Sequence, residues 1–146
     1  MQSKKILFLS PYPFGKGPSQ RLKYEQYYDY FEKNGFELTT SSFMDDELWK
    51  IVYKHGNIIQ KIIGTLRGYL RRFNDLLHIR QFDIIYIHLW VTPFGPPIFE
   101  WLIHLFAKKI VYDIDDMIYL NVTQKRFIDK IKGRNKPLAL MKYANA

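Results

Sequence analysis

The chain predicts an α/β protein, a Rossmann-like parallel sheet flanked by helices, and three observations carry that prediction. Residues 4–10, 82–90 and 109–114 are short, almost continuously apolar runs, the pattern of strands buried on both faces. Segments with apolar residues at helical spacing lie between them, and loops bearing glycine and proline follow the strands. The 146 residues, 47% hydrophobic, suffice for one core, so residues 1–146 are taken as a single domain.

Taken in order, the strand at 4–10 empties into the loop Pro11-Tyr12-Pro13-Phe14-Gly15-Lys16-Gly17-Pro18-Ser19-Gln20-Arg21. The carboxyl end of a strand is where open α/β sheets bind ligands. Gly15 and Gly17 let a backbone approach a ligand, and the amides of a following helix attract anions, although any first strand needs some turn after it. Leu22, Tyr27, Tyr30 and Phe31 give residues 20–34 a helical face, stopped by Asn34-Gly35. Alternation at 36–43 predicts a second strand nearer an edge, and 82–90 a central one. Residues 97–107 predict a helix, 109–114 the last strand and 137–144 a further helix.

The segment 48–80 has the clearest period. At roughly 100° per residue, Leu48, Ile58, Ile62, Leu66, Phe73 and Leu77 fall on one arc, with Lys50, Lys54, Lys61, Arg67, Arg71 and Arg72 opposite, beside Gly64 and Gly68. His55-Gly56 divides it into two helices. Two expectations follow: the apolar face covers the sheet with a solvated basic face, or the basic side chains Lys61, Arg67, Arg71 and Arg72 also touch an anionic membrane surface.

Charge is uneven. Residues 48–80 and 121–146 carry +6 each, whereas 1–47 sum to −1 and 81–120 to −3, which points to an anionic partner met by particular elements. A non-enzymatic module for an anionic polymer is therefore one function class, but no nucleic-acid signature accompanies the charge, and no nucleic acid is expected as a partner. Cysteine is absent, which excludes disulfides and thiolate metal sites and fits a cytoplasmic setting, peripheral to the inner face of the membrane where the basic helix meets lipid. No signal peptide is visible and no apolar run is long enough to span a bilayer.

Three strand ends bear chemistry: the Gly15/Gly17 loop, His88 before a stiff Pro93-Phe94-Gly95-Pro96-Pro97 turn, and Asp113-Ile114-Asp115-Asp116. A parallel sheet brings such ends to one edge, so these groups should share a crevice. His104, mid-helix, reads as structural, like His55 and His78. Asp113 and Asp115 could chelate a divalent cation and make a metal-dependent transferase. Strand alternation with Asp116 as a helix cap explains the same cluster without metal, and no metal is expected.

On these motifs, namely Ile6-Leu7-Phe8-Leu9-Ser10-Pro11 with the glycine loop and Ser19-Gln20-Arg21, Asp83-Ile84-Ile85-Tyr86-Ile87-His88, and Val111-Tyr112-Asp113-Ile114-Asp115-Asp116, the chain resembles the N-terminal domain of family-four retaining glycosyltransferases. Those enzymes have two Rossmann-like domains facing one cleft. The resemblance implies sugar transfer from a nucleotide-sugar donor to a saccharide or lipid-linked acceptor, as in polysaccharide or cell-envelope assembly, without a cofactor. It implies that His88 contacts the transferred sugar, that the loop residues Gly15, Lys16, Gly17, Ser19 and Arg21 approach the donor diphosphate, and that Asp113, Asp115 and Asp116 lie in the acceptor cleft. The donor-binding C-terminal domain has no counterpart in this sequence, so a fragment without appreciable activity of its own is expected.

Overall fold

The computed structural model describes residues 3–114 and 136–146. Four strands, β1 (Lys4–Ser10), β2 (Phe36–Ser42), β3 (Ile84–His88) and β4 (Ile110–Asp113), form an all-parallel sheet in the order β2-β1-β3-β4. This is the α/β, Rossmann-like arrangement that the apolar runs predict. Register pairs Leu9 with Ile87 and His88 with Asp113, so β1, β3 and β4 end together on one edge.

Alternation along β1 divides the core between the two faces of the sheet. Leu7 and Leu9 join Ile85, Ile87, Ile79 and Ile103 in one cluster, and Ile6 and Phe8 pack with Tyr24 in the other. The single helix expected over 20–34 is instead α1 (Pro18–Lys23), a 3-10 turn at Glu25–Tyr27, and α2 (Tyr28–Lys33). The break has a physical cause: Gln20, Tyr24 and Glu25 are all buried, so the chain bends to send a tyrosine ring into the core and two polar side chains into the preceding loop.

The division at 55–57 is present. Helix α3 (Asp46–Val52), capped by the Asp45 carboxylate accepting from the Leu48 amide at 2.8 Å, ends before Gly56 and Asn57, both in the left-handed region. Helix α4 (Ile58–His78) then runs beside α5 (Ile98–Phe106), and α6 (Lys136–Tyr143) follows near the end of the chain. The last residues lie against β4, where the Tyr112 amide donates to the Ala146 carbonyl at 2.8 Å and Asn145 to Ile110 at 2.9 Å.

The orientation of α4 corrects the sequence expectation. Its inward face is Gly64, Gly68 and Arg72, while the apolar arc looks outward, with Ile58 70%, Leu66 57% and Leu77 66% exposed. The glycines explain the close approach: a Cβ on Gly68 would stand 2.7 Å from the Phe43 ring and 2.8 Å from its carbonyl, and one on Gly64 3.0 Å from Leu48. Arg72 explains the choice of face. Its guanidinium donates to the carbonyls of Ser10 at 2.8 Å, Ser41 at 3.1 Å and Val91 at 2.9 Å, and pairs with Asp75 at 2.9 Å. Backbone carbonyls at the ends of β1 and β2 and in the loop after β3 thereby gain a donor, and the planar five-donor fork of arginine suits three of them at once. Burial pushes the Arg72 pKa down, and Asp75 opposes that shift. Arg71 likewise turns in, donating to the carbonyls of Ser42 at 2.6 Å and Phe43 at 2.9 Å. Arg72 is therefore no part of a solvated basic face, and Arg71 is only partly exposed.

Candidate functional site

The crevice lies at the carboxyl edge of the sheet and is built around His88, the last residue of β3. Its ring is fully buried, with Nδ1 2.8 Å from Asp113 Oδ2 and Nε2 3.2 Å from Ser19 Oγ. The register that sets His88 beside Asp113 makes the first contact a consequence of strand pairing. The second depends on α1, which the glycine loop carries back over the sheet edge. Burial pushes the Asp113 carboxyl up, but hydrogen bonds from His88 and from Lys23 outweigh it and hold the group at about 2. An ionised carboxylate only accepts, so Nδ1 carries a proton toward Asp113, while Nε2 and the Ser19 hydroxyl share the second hydrogen bond. Lys23 Nζ lies 2.7 Å from the other Asp113 oxygen.

Two aromatic groups close the floor. The Tyr24 ring meets His88 edge-on at 5.4 Å, and Tyr86 lies beside Phe8 and Tyr24. Burial raises both phenols, with Asp113 adding to the shift of Tyr86.

The loop after β3 is held from several sides. Leu89 adopts φ +60°, a left-handed conformation unusual for a leucine, with its amide on the Asp113 carbonyl at 2.9 Å and its carbonyl accepting from Tyr112 at 2.9 Å. Lys136 reaches beneath the same loop to the carbonyls of Thr92 at 3.0 Å and Phe94 at 2.8 Å, and approaches buried Glu100 at 3.6 Å. Burial pushes the Lys136 pKa down and the Glu100 pKa up, with the ion pair opposing both shifts.

The glycine loop differs from its sequence-based expectation. Gly15 has φ +74° and open space where a side chain would stand, but its amide donates to Glu25 Oε2 at 3.0 Å and the Lys16 amide donates to the Pro13 carbonyl at 3.1 Å. Neither amide is turned toward a phosphate. Gly17 is extended, and its lack of a side chain is a packing need, since a Cβ would lie 2.7 Å from Tyr12 and 2.8 Å from Gln20. Buried Gln20 braces the loop through both the amide and carbonyl of Tyr12 and through Glu25. What the loop offers outward is the side chains of Lys16 and Arg21, both exposed, with Ser19 half-buried between them and the sheet.

The predicted residues Ser19, His88 and Asp113 therefore meet, while Gly15, Lys16 and Arg21 are exposed. Asp115 and Asp116 lie outside the described residues. Among the described residues no group of three His, Cys, Asp or Glu side chains is placed to hold a metal ion. The four basic residues assigned to a surface separate: Arg67 is exposed and paired with Glu47 at 2.7 Å, Lys61 bonds to the Lys54 carbonyl, Arg71 is half-buried against Ser42, Phe43 and Asp45, and Arg72 is buried. Sequence reasoning missed Lys23, although its spacing of four from Ser19 places both on one face of a helix. It also missed Glu25, Tyr24 and Lys136, whose roles depend on contacts across the fold. No protein-family model, no curated protein and no solved structure matches the chain.

Proposed function

We propose that this domain is the acceptor-side half of a glycosyltransferase that moves a sugar from a nucleotide donor to a saccharide or lipid-linked acceptor with the anomeric configuration retained. One observation carries the proposal: an imidazole held by a carboxylate at the end of a central strand is bonded to the hydroxyl of Ser19, in the first turn of the helix that follows the glycine loop. His88 is beneath Ser19, so the Ser19 hydroxyl meets the sugar and His88 acts through it as a positioning residue. The exposed side chains of Lys16 and Arg21 provide positive charge for a leaving diphosphate, in place of loop amides already engaged by Glu25 and Pro13. The donor-side wall and its nucleotide pocket come from a second domain.

The test is nuclear magnetic resonance of the isotopically labelled chain titrated with UDP-, GDP-, dTDP- and ADP-linked sugars and with oligosaccharides. Perturbation of the Gly15, Ser19 and Leu89 amides by at least one of them is expected. Perturbation confined to the opposite sheet edge, where Lys4, Glu37, Asp83 and Lys108 line a polar hollow, would remove the proposal.

A second reading rests on the same distances. Ser19 Oγ, His88 Nε2, His88 Nδ1 and Asp113 stand in nucleophile, base and orienting order, the arrangement of acyl-transfer enzymes. Covalent labelling of Ser19 by a fluorophosphonate would favour it.

A further inference from the structure

We propose that the outward apolar face of α4 is the surface by which this protein docks on an anionic membrane. The inference stands on the geometry of α4 and does not depend on sugar transfer at the crevice.

Ile58, Ile62, Leu66, Leu70, Phe73 and Leu77 form one exposed stripe along a 21-residue helix, about 30 Å long at 1.5 Å per residue. A stripe of this extent exceeds the scattered apolar residues normal on a soluble surface. The helix cannot turn to bury it, because Gly64, Gly68 and Arg72 fix the opposite face against Leu48, Phe43 and three backbone carbonyls.

Charge identifies the occupant. The solvent-facing side of α4 carries no carboxylate, since Asp75, its one acidic residue, is turned inward onto Arg72 and Ser41. Exposed cations border the stripe: Lys54 before its start, Arg67 along its flank and Arg80 beyond its end. The acidic neighbours are Glu47 on α3, which pairs with Arg67, and its N-cap Asp45, which faces Arg71 at 3.6 Å. The chain carries +8 overall, so a second copy on this face would bring like charge against like, whereas an anionic bilayer attracts it. Apolar side chains that enter the acyl boundary beneath a rim of Lys and Arg are the chemistry of an interfacial helix.

The stripe opens at its N-terminal end into an apolar groove of about 550 Å³, bounded by Leu48, Ile62, Leu66, Tyr69 and Phe94. A single hydrocarbon chain from the outermost leaflet fits that lining. The docked helix would thus hold the carboxyl edge of the sheet, where Phe94 and the loop after β3 lie, close to the lipid surface.

Flotation of the 146-residue chain with vesicles of phosphatidylcholine alone, and with about a third phosphatidylglycerol, tests the proposal. Flotation with the anionic vesicles is expected, and Leu66→Asp with Leu70→Asp should reduce the bound fraction at least about tenfold while circular dichroism stays unchanged, because both side chains are exposed. Lys54→Glu with Arg67→Glu should remove the preference for phosphatidylglycerol. Undiminished flotation of the leucine double variant, or no flotation of the parent chain with either vesicle, would overturn the proposal. So would a dimer in light scattering that the same leucine substitutions dissolve, since that result assigns the face to a second copy.

Discussion

Replacing Arg72 by alanine should destabilise the fold by about 3–5 kcal/mol, because removing one member of a buried ionic network leaves the others without a partner. Asp75, half-buried, loses its counter-ion, and the carbonyls of Ser10, Ser41 and Val91 lose a donor in a place water does not reach freely. These carbonyls belong to two strand ends and to the loop that follows His88, so the same substitution loosens the crevice. In urea the midpoint should fall by more than about 1 M, given the usual dependence of stability on denaturant for a domain of this size. Arg67→Ala is the control. Arg67 lies about 100° around the helix from the inward face and pairs in solvent with Glu47, and its loss should cost less than about 1 kcal/mol. Equal and small effects at both positions would mean that Arg72 is solvated and that α4 faces the sheet with its apolar side.

In the protein that carries both walls of the proposed cleft, His88→Ala should lower sugar transfer by about 10²–10³, the usual cost of deleting one oriented polar group from a reacting centre. Ser19→Ala should lower it by a similar factor. The two together should cost no more than His88→Ala alone, because Ser19 is directed by His88 and the pair acts as a unit. The fall should appear in kcat more than in KM. A purely structural histidine would instead lower the melting temperature and leave the turnover of the remaining folded protein intact.

The strands were legible because a parallel sheet buried on both faces leaves a run of apolar residues that needs no tertiary knowledge to recognise. The convergence of Ser19, His88 and Asp113 was legible for a related reason, since parallel strands must end on a common edge. The face of α4 was not. Amphipathicity shows that two sides differ, but which one packs depends on Phe43 and on unpaired carbonyls at three separated points of the chain. A signal existed in Gly64, Gly68 and Arg72, spaced by four, which lines two missing side chains and a long donor along one edge of the helix. The break in the 20–34 helix and the engagement of the Gly15 amide share one cause, the burial of Gln20 and Glu25. Polar residues at helical spacing give no hint that they will turn inward to brace a loop.

The most direct measurement is the ¹⁵N spectrum of the His88 imidazole, recorded on the folded chain and again with a nucleotide-linked sugar that binds it. The bond to Asp113 requires a ring protonated at Nδ1, and the bond to Ser19 an Nε2 resonance that moves when a ligand engages Ser19. A ring without a proton at Nδ1, or an Nε2 signal indifferent to every ligand that binds the chain, would contradict the crevice as the working site.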